Sequence, residues 1–580
     1  MCVSHPTGRF DDLRAGTSLV FGTARAVLQT RDPADVRSVL DAVDRATRDG
    51  AWAYGFVSYE AAAGLDDALT TCPPDGAGPP LVWFALTAPP RRDPTPPPGG
   101  AFEVGEWTLD VSPAGYRAAV EQARARIAAG DTYQVNVTAR LHAPVAGYPA
   151  GLYRELLDHQ STAHAAYLDI GSHQVVSASP ELFFDWTGNR LLTRPMKGTR
   201  PRLADEVADN AQRRALRDDP KERAENVIVV DLLRNDLARI ARTGSVRVDR
   251  LCTVEGYETV WQLTSDVSAT VADDTTVTDV FGALFPSGSV TGAPKPSTMR
   301  IIAEIEGRPR GLYCGAIGWV APPEAPTRAR FSVAIRTAVV SGGVATYGAG
   351  CGITWSSDPE AELAELHAKA RILEPRFALL ETMRFETGTG VRNLDRHLAR
   401  LAASAAHFGV PFDRGAITGA ITDAIAAASG TTARVRLTLG RDGSVDVRTA
   451  PLPAEPTGPV TLAVDDEPVR STDVWLRHKT TRRAAYERRA ARHGADDVVL
   501  VNEHGRVTET TIANIAVCLD GTWWTPPLAD GCLPGVERAR LLDEGVLRER
   551  AITVAELLAA DGIALVSSLR GWRTAVLSTS

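Results

Sequence analysis

No run of 18 or more apolar residues occurs in this 580-residue chain, so no transmembrane helix is expected. Basic residues are not in excess either. Lys and Arg number 63 against 71 Asp and Glu, a net charge of −8. Nucleic acid and anionic membranes call for a basic surface, so neither is expected as a main partner. The seven cysteines are an odd number and include no Cys-x-x-Cys, which argues against a disulfide framework or a zinc site. Neither the dinucleotide fingerprint nor the P-loop pattern is found, so nucleotide binding is not indicated. The first residues, Met1-Cys-Val-Ser-His-Pro, lack a basic n-region and an apolar h-region, and a cytoplasmic protein is the expectation.

What is there is ordinary globular material. Hydrophobic residues make up 44% and charged residues 23%, enough for large cores. Pro and Gly crowd residues 88–100, as in a stiff linker or a long surface loop. Glu374-Pro375 marks a second boundary, because Pro disfavours helix in the residue before it. Two modules follow from this, 1–372 and 375–580. Helices are expected over 115–128, 219–242, 358–372, 394–408 and 480–493. Asp219-Pro220 and Asp358-Pro359 each supply an N-cap followed by Pro at the first helical position. Strands are expected over 497–501 and 513–519, and a buried strand over 331–340 is broken only by Arg336.

Several constellations carry chemistry. Glu222 and Glu225 share one helix face, as do Glu362 and Glu365 on another. If the two faces met, four carboxylates would surround a hard cation such as Mg²⁺. Read singly, each pair simply favours a helix dipole. Arg194, Lys197, Arg200 and Arg202 surround a Gly-Thr turn, which suits a carboxylate ligand or a solvated surface turn. Phe285–Lys295 and Tyr347–Gly352 are rich in small residues and allow a ligand close to the backbone. Arg336, inside an apolar run, needs a partner or a ligand.

Taken together, these motifs resemble the chorismate-utilising family, the large subunits of aminodeoxychorismate synthase and anthranilate synthase. The resemblance rests on Gly130-Asp-Thr-Tyr-Gln-Val-Asn136, Ser179-Pro-Glu181, the Lys197 loop, the stretch from Glu222 to Asp236 and Thr291-Gly-Ala-Pro-Lys295. It implies an α+β fold, a two-layered sheet and helix sandwich. It also implies that Glu222, Glu225, Glu362 and Glu365 hold Mg²⁺, and that Thr291, Tyr313, Arg336, Gly352 and Lys369 bind the substrate. Glu181 would be the general acid that assists loss of the ring hydroxyl. Lys197 matches the lysine of aminodeoxychorismate synthases, where anthranilate synthases have alanine. It is the expected nucleophile, later displaced by ammonia. Gln262 stands where histidine is frequent, and an amide cannot carry a proton. Residues Tyr54–Glu60 are similar to a subdomain that holds tryptophan in some relatives.

The last third resembles the fold-type IV pyridoxal-phosphate family, the aminotransferases and aminodeoxychorismate lyase. The motifs are Asn393–Leu401, Lys479–Tyr486, Val507–Asn514 and Leu533-Pro-Gly-Val-Glu-Arg538. By resemblance, Lys479 is the Schiff-base lysine and proton shuttle, and Glu509 pairs with the pyridine nitrogen. Arg400 and the N–H groups of Val536 and Glu537 would bind the phosphate. Two features depart from the family. A strand-rich segment usual ahead of Leu380–Arg384 is missing, and Glu537 replaces a frequent Thr.

The combined expectation is a bifunctional enzyme of 4-aminobenzoate and folate synthesis. It aminates chorismate and then eliminates pyruvate, with Mg²⁺ and pyridoxal phosphate as cofactors. No Cys-His-Glu glutaminase is visible, so a separate glutamine amidotransferase is the expected ammonia source. A homodimer through the last third is a further expectation. The alternatives are an anthranilate synthase joined to an aminotransferase, and a terminal module that serves as a scaffold.

Overall fold

The computed structural model describes residues 6–93, 102–203, 205–256, 260–373, 377–427, 430–452 and 458–578. Most of the Pro-rich stretch 88–100 therefore lies outside the described residues. The chain divides into two compact units, Met1–Pro375 and Arg376–Ser580. Among the described residues no helix is long and apolar enough to cross a membrane.

The first unit holds two antiparallel sheets, eleven- and ten-stranded among the described residues. Their facing sides share one core. Phe21, Leu168 and Val175 of the larger sheet interleave with Tyr54, Phe56, Trp83 and Trp319 of the smaller one. Both outer faces are covered by helices. Tyr116, Val120, Ile301 and Leu366 pack on the larger sheet, and Leu40, Val230 and Val280 on the smaller. A cavity of about 280 Å³ opens beside the shared core, lined in part by Trp52, His164 and Trp319.

Five strands and four helices build the site. β1 (Gln134–Gly147) lies in the larger sheet. The smaller sheet contributes β2 (Met196–Pro201), β3 (Arg247–Gly256) and β4 (Val260–Thr270). β5 (Val344–Ile353) pairs with β1, so that Gly352 faces Asn136 and Ile353 faces Val135. The helices are α1 (Glu206–Asp218), α2 (Pro220–Ala238), α3 (Lys295–Glu306) and α4 (Pro359–Ala370). Asp219 caps α2 through the N–H groups of Lys221 and Glu222, and Asp358 caps α4 through Ala361. These caps satisfy donors that a helix start leaves open.

Residues 331–340 are not one strand. Thr327–Val333 belongs to the smaller sheet and Thr337–Ser341 to the larger. The chain crosses between them at Arg336, whose φ of 51° is left-handed. Both pieces are buried, so apolar continuity hides the crossing.

In the second unit the described residues form two sheets, and the four-stranded antiparallel one includes β6 (Leu379–Glu386). Helix α5 (Leu394–Phe408) packs on it through Leu398 and Leu401. A separate eight-stranded mixed sheet carries Asp497–Val501, Val507–Thr510 and Asn514–Leu519, and α6 (Val536–Asp543) packs beside it. The helix expected over 480–493 is confined to Ala484–Ala490. Residues 479–481 are instead held extended against β6: Leu380 donates to the Lys479 carbonyl and Thr481 to that of Ala378, both at 2.9 Å.

Candidate active site

Strand β2 carries Lys197 beside the end of β5. The Lys197 Nζ donates to the Ser289 carbonyl at 3.4 Å. A methyl group added at Gly352 would sit 3.4 Å from that Nζ and would overlap the Gln134 amide. Glycine there leaves the Gln134 amide its place beside Lys197; no left-handed backbone turn is involved. Glu181, buried behind Lys197, is hydrogen-bonded by Ser289 and by the Met196 N–H. Burial pushes its carboxyl up to about 7, against the pull of Ser289 and Lys197. Such a group holds a proton near neutrality and can give it to a leaving hydroxyl.

The arginines of this loop are not available to a ligand in the way their sequence suggests. Arg194 pairs with Asp266 at 2.6 Å, Arg200 with Asp219 at 3.1 Å and Arg202 with Asp209 at 2.9 Å. Lys197 is the cation of the loop that reaches the Glu181 side. Gln262 braces the turn: its amide donates to the Gly198 carbonyl at 2.9 Å and accepts from the Thr199 hydroxyl at 3.1 Å.

The two Glu pairs do feel one another. The Glu222 carboxyl is raised by burial, then by Glu225, Asp219 and Glu365. Glu225 is raised by burial and by Glu365, against Lys197, Lys221 and Lys369. Glu362 is raised too, by burial and by Glu365, while Ser357 donates to it at 2.7 Å. Glu365 instead pairs with Lys369 at 2.7 Å. Crowded carboxylates, raised by burial and by one another, are a donor set for a hard divalent ion. Cys351 lies with Glu362 and Glu365, but burial pushes its thiol up to about 12. It stays protonated and donates to the Glu362 carbonyl. The carboxylates are the oxygen donors that fit Mg²⁺.

Of the other expected substrate residues, Arg336, Tyr313 and Lys369 lie against α4 and β5, and Thr291 does not. Arg336, half-buried, donates to the Lys369 carbonyl at 2.9 Å, and Tyr347 to the same oxygen at 3.2 Å. Lys369 Nζ donates to the Gly350 carbonyl at 2.8 Å. The Tyr313 ring lies flat against Gly348, where any side chain would overlap it. Thr291 is fully buried, and its hydroxyl donates inward to the Ser287 carbonyl at 3.0 Å. Lys295, from the same small-residue stretch, pairs with buried Asp236 at 2.9 Å and so anchors α3 to α2.

In the second unit, Lys479 is half-buried. Burial and the nearby Arg400 and Arg483 hold its ammonium down to about 8. Glu509 lies close enough to affect it, and burial pushes that carboxyl up to about 7. Glu509 accepts from the Tyr486 hydroxyl at 3.0 Å and the Leu533 N–H at 3.1 Å. Arg400 grips buried Glu381 with Nε and Nη2, while His397 bonds to the same carboxylate at 2.6 Å. Its Nη1 reaches the Pro534 carbonyl at 3.2 Å. Helix α6 begins two residues later at Val536, behind Gly535, where any side chain would overlap Asn514. Glu537 does not project as a bare charge. It is buried and takes Arg392 and Arg540, each at 2.8 Å, and Asn393 at 3.1 Å. A lysine able to lose its proton, an acid, an arginine and an uncapped helix start together fit pyridoxal phosphate.

Comparison with known proteins now bears on this geometry. Residues 10–375 match the family model of chorismate binding enzymes, and residues 378–576 that of class IV amino-transferases. The chain belongs to the chorismate binding enzyme family. It is 41% identical over 268 residues to anthranilate synthase component 1 of Streptomyces coelicolor, which covers 46% of this chain and 52% of that protein. It is 42% identical over 309 residues to aminodeoxychorismate synthase of Streptomyces griseus, covering 52% and 42%. The chain thus spans about half the length of these curated relatives. Among solved structures, anthranilate synthase component I of Streptococcus pneumoniae aligns with a TM-score of 0.54 and 26% identity, over 61% of this chain and 91% of that one.

Within this chorismate binding enzyme, Gln134, Ser289 and Tyr486 were legible only as members of motifs. Gln134 lies against Gly352, Ser289 against Lys197 and Glu181, and Tyr486 against Glu509, and each of these meetings joins different elements. Glu381, His397, Arg392 and Arg540 carried no separate signal, because each matters only through a partner on another element.

Proposed function

We propose that the first unit converts chorismate and ammonia to 4-amino-4-deoxychorismate. The curated relatives include both aminodeoxychorismate and anthranilate synthases, so similarity alone does not choose between them. The observation that carries the choice is Lys197, an amine beside Glu181, Ser289 and Gly352. Glu181 protonates the departing ring hydroxyl while the Lys197 amine attacks the ring, and ammonia then displaces the amine. Arg336, Tyr313 and Lys369 orient the substrate carboxylates. Glu222, Glu225, Glu362 and Glu365 hold Mg²⁺, which supplies positive charge for one of those carboxylates. Ammonia comes from a separate glutamine amidotransferase.

The second unit is read as the lyase that releases pyruvate to leave 4-aminobenzoate. The class IV amino-transferase match implies pyridoxal phosphate, which when bound serves as an electron sink. Lys479 would remove and return the proton, Glu509 would pair with the ring nitrogen, and Arg400 with the Val536 and Glu537 N–H groups would hold the phosphate. Fusion favours lyase over aminotransferase, since the product of the first step is the substrate of the second.

The test is an end-point assay with chorismate, Mg²⁺, ammonium and pyridoxal phosphate, with the products separated by chromatography. 4-Aminobenzoate formed without added lyase is the expected result. Aminodeoxychorismate alone would demote the second unit, and anthranilate would overturn the reading of Lys197.

A further inference from the structure

Behind the Lys197 loop lies a second cavity, of about 690 Å³, between α1 and β3. That volume is in the range of small-molecule sites. Arg213, Arg214 and Arg217 form one wall, and Cys252, Thr253 and Val254 the other. Arg217 is taken up by Asp218, with bonds of 2.7 and 2.9 Å. The other two are differently placed. Arg213 lies over the Trp261 ring, 5.5 Å from its centre, and Arg214 donates to the Asn210 carbonyl of its own helix, at 3.3 Å. Among the described residues neither has a carboxylate partner, whereas Arg194, Arg200 and Arg202 nearby all do. One acid, Glu206, lines the cavity at the other end of α1. Val207, 74% exposed, and Val254 add an apolar surface.

We propose that this cavity binds a small anion of two or more charges, its phosphate or carboxylate groups held by Arg213 and Arg214. Guanidinium groups bind both kinds of oxyanion through paired N–H donors. The apolar part of such a ligand rests on Val207 and Val254. The site is distinct from the one above, yet it touches the same elements. Leu216, on the buried face of α1, packs on the Lys197 loop: a methyl group at Gly198 would sit 2.9 Å from its Cδ1 and 2.8 Å from a Glu222 oxygen. Cys252, on the opposite wall, contacts Asn226, the residue after Glu225, at 3.6 Å. An anion that fixes α1 therefore also fixes the loop behind it. This effect on chorismate turnover rests on the function proposed above; the binding itself does not.

The experiment is calorimetric titration of the full chain, saturated with pyridoxal phosphate so that the phosphate site of the second unit is filled, with inorganic pyrophosphate and, separately, citrate, in Mg²⁺-free buffer. Four proteins are compared: wild type, Arg213→Gln/Arg214→Gln, Arg336→Gln and Val254→Glu. Wild type and Arg336→Gln should bind one equivalent, and the double variant about tenfold more weakly or worse, the loss of two charge-assisted contacts. The stronger of the two probes identifies phosphate or carboxylate as the preferred group. Circular dichroism and melting temperature establish that the double variant is folded. A single Val254→Glu variant, which puts a negative charge into the cavity, should weaken binding as well. Undiminished binding by the folded double variant would overturn the proposal. So would loss of binding in Arg336→Gln alone, which would locate the anion in the chorismate site, and so would absence of binding to wild type at millimolar probe.

Discussion

Glu181 is held in a state that suits the general-acid role proposed for it and that costs the fold stability. Burial raises its carboxyl to about 7, so the acid form dominates below that pH and is lost as pH rises through it. A reaction that needs the proton should therefore lose rate above pH 7. Glu181→Gln should abolish this limb of the pH–rate profile and lower kcat by about 10²- to 10³-fold, the usual contribution of a placed general acid. Stability should move the other way. The unfolded chain ionises this group at lower pH than the fold does, so ionisation costs stability as pH rises from about 4.5 to 7. Glu181→Gln should melt higher than wild type at pH 8 and show no such gain at pH 4, by calorimetry. Gly352 makes a different kind of demand. Gly352→Ala would drive a methyl group into the Gln134 amide and against Lys197. The chorismate KM should rise with little loss of melting temperature, because β1 and β5 stay paired on both sides of the position. An unchanged KM would mean that the substrate does not use this corner.

At the scale of elements, the cation site proposed above depends on where two helices begin. Asp358 holds the first turn of α4, and loss of an N-cap costs about 1 kcal/mol. Asp358→Ala should raise the Mg²⁺ concentration for half-maximal chorismate turnover about fivefold, a change of about 1 kcal/mol. Protons should compete in the same way. Glu222, Glu225 and Glu362 are all held above their usual range, so lowering the pH from 8 to 6 should raise the Mg²⁺ requirement. Titrations of rate against Mg²⁺ at both pH values check this. The caps themselves were legible in the sequence, because Asp-Pro is a local signal. The helix over 394–408 was equally plain, being amphipathic and closed by Gly409 in a left-handed turn. What was not legible depends on distant partners. Asp266 lies 72 residues beyond Arg194, and it turns a basic loop into a set of ion pairs. Residues 479–481 fit a helix by composition, but they pair with β6, and that pairing brings Lys479 beside Arg400 and Glu381. Arg336 breaks its strand because the chain changes sheets there, which two equally buried segments cannot announce.

On the function proposed above, the whole molecule joins two sites that differ in every requirement except the compound made by one and used by the other. The first rests on crowded carboxylates and an amine near a buried acid. The second rests on a lysine whose ammonium is held down to about 8 and a carboxyl held up to about 7. Each can be removed without touching the other. Lys197→Ala should form no aminodeoxychorismate yet keep the visible absorption of bound pyridoxal phosphate. Lys479→Ala should lose that absorption and accumulate aminodeoxychorismate. Neither variant alone should make 4-aminobenzoate. An equimolar mixture should, because the intermediate released by one chain is a complete substrate for the other. The yield of the mixture relative to wild type measures how much intermediate escapes between steps. If the mixture stays silent while each variant keeps its single activity, free aminodeoxychorismate is not what the second unit consumes. That unit would then act on another amino acid.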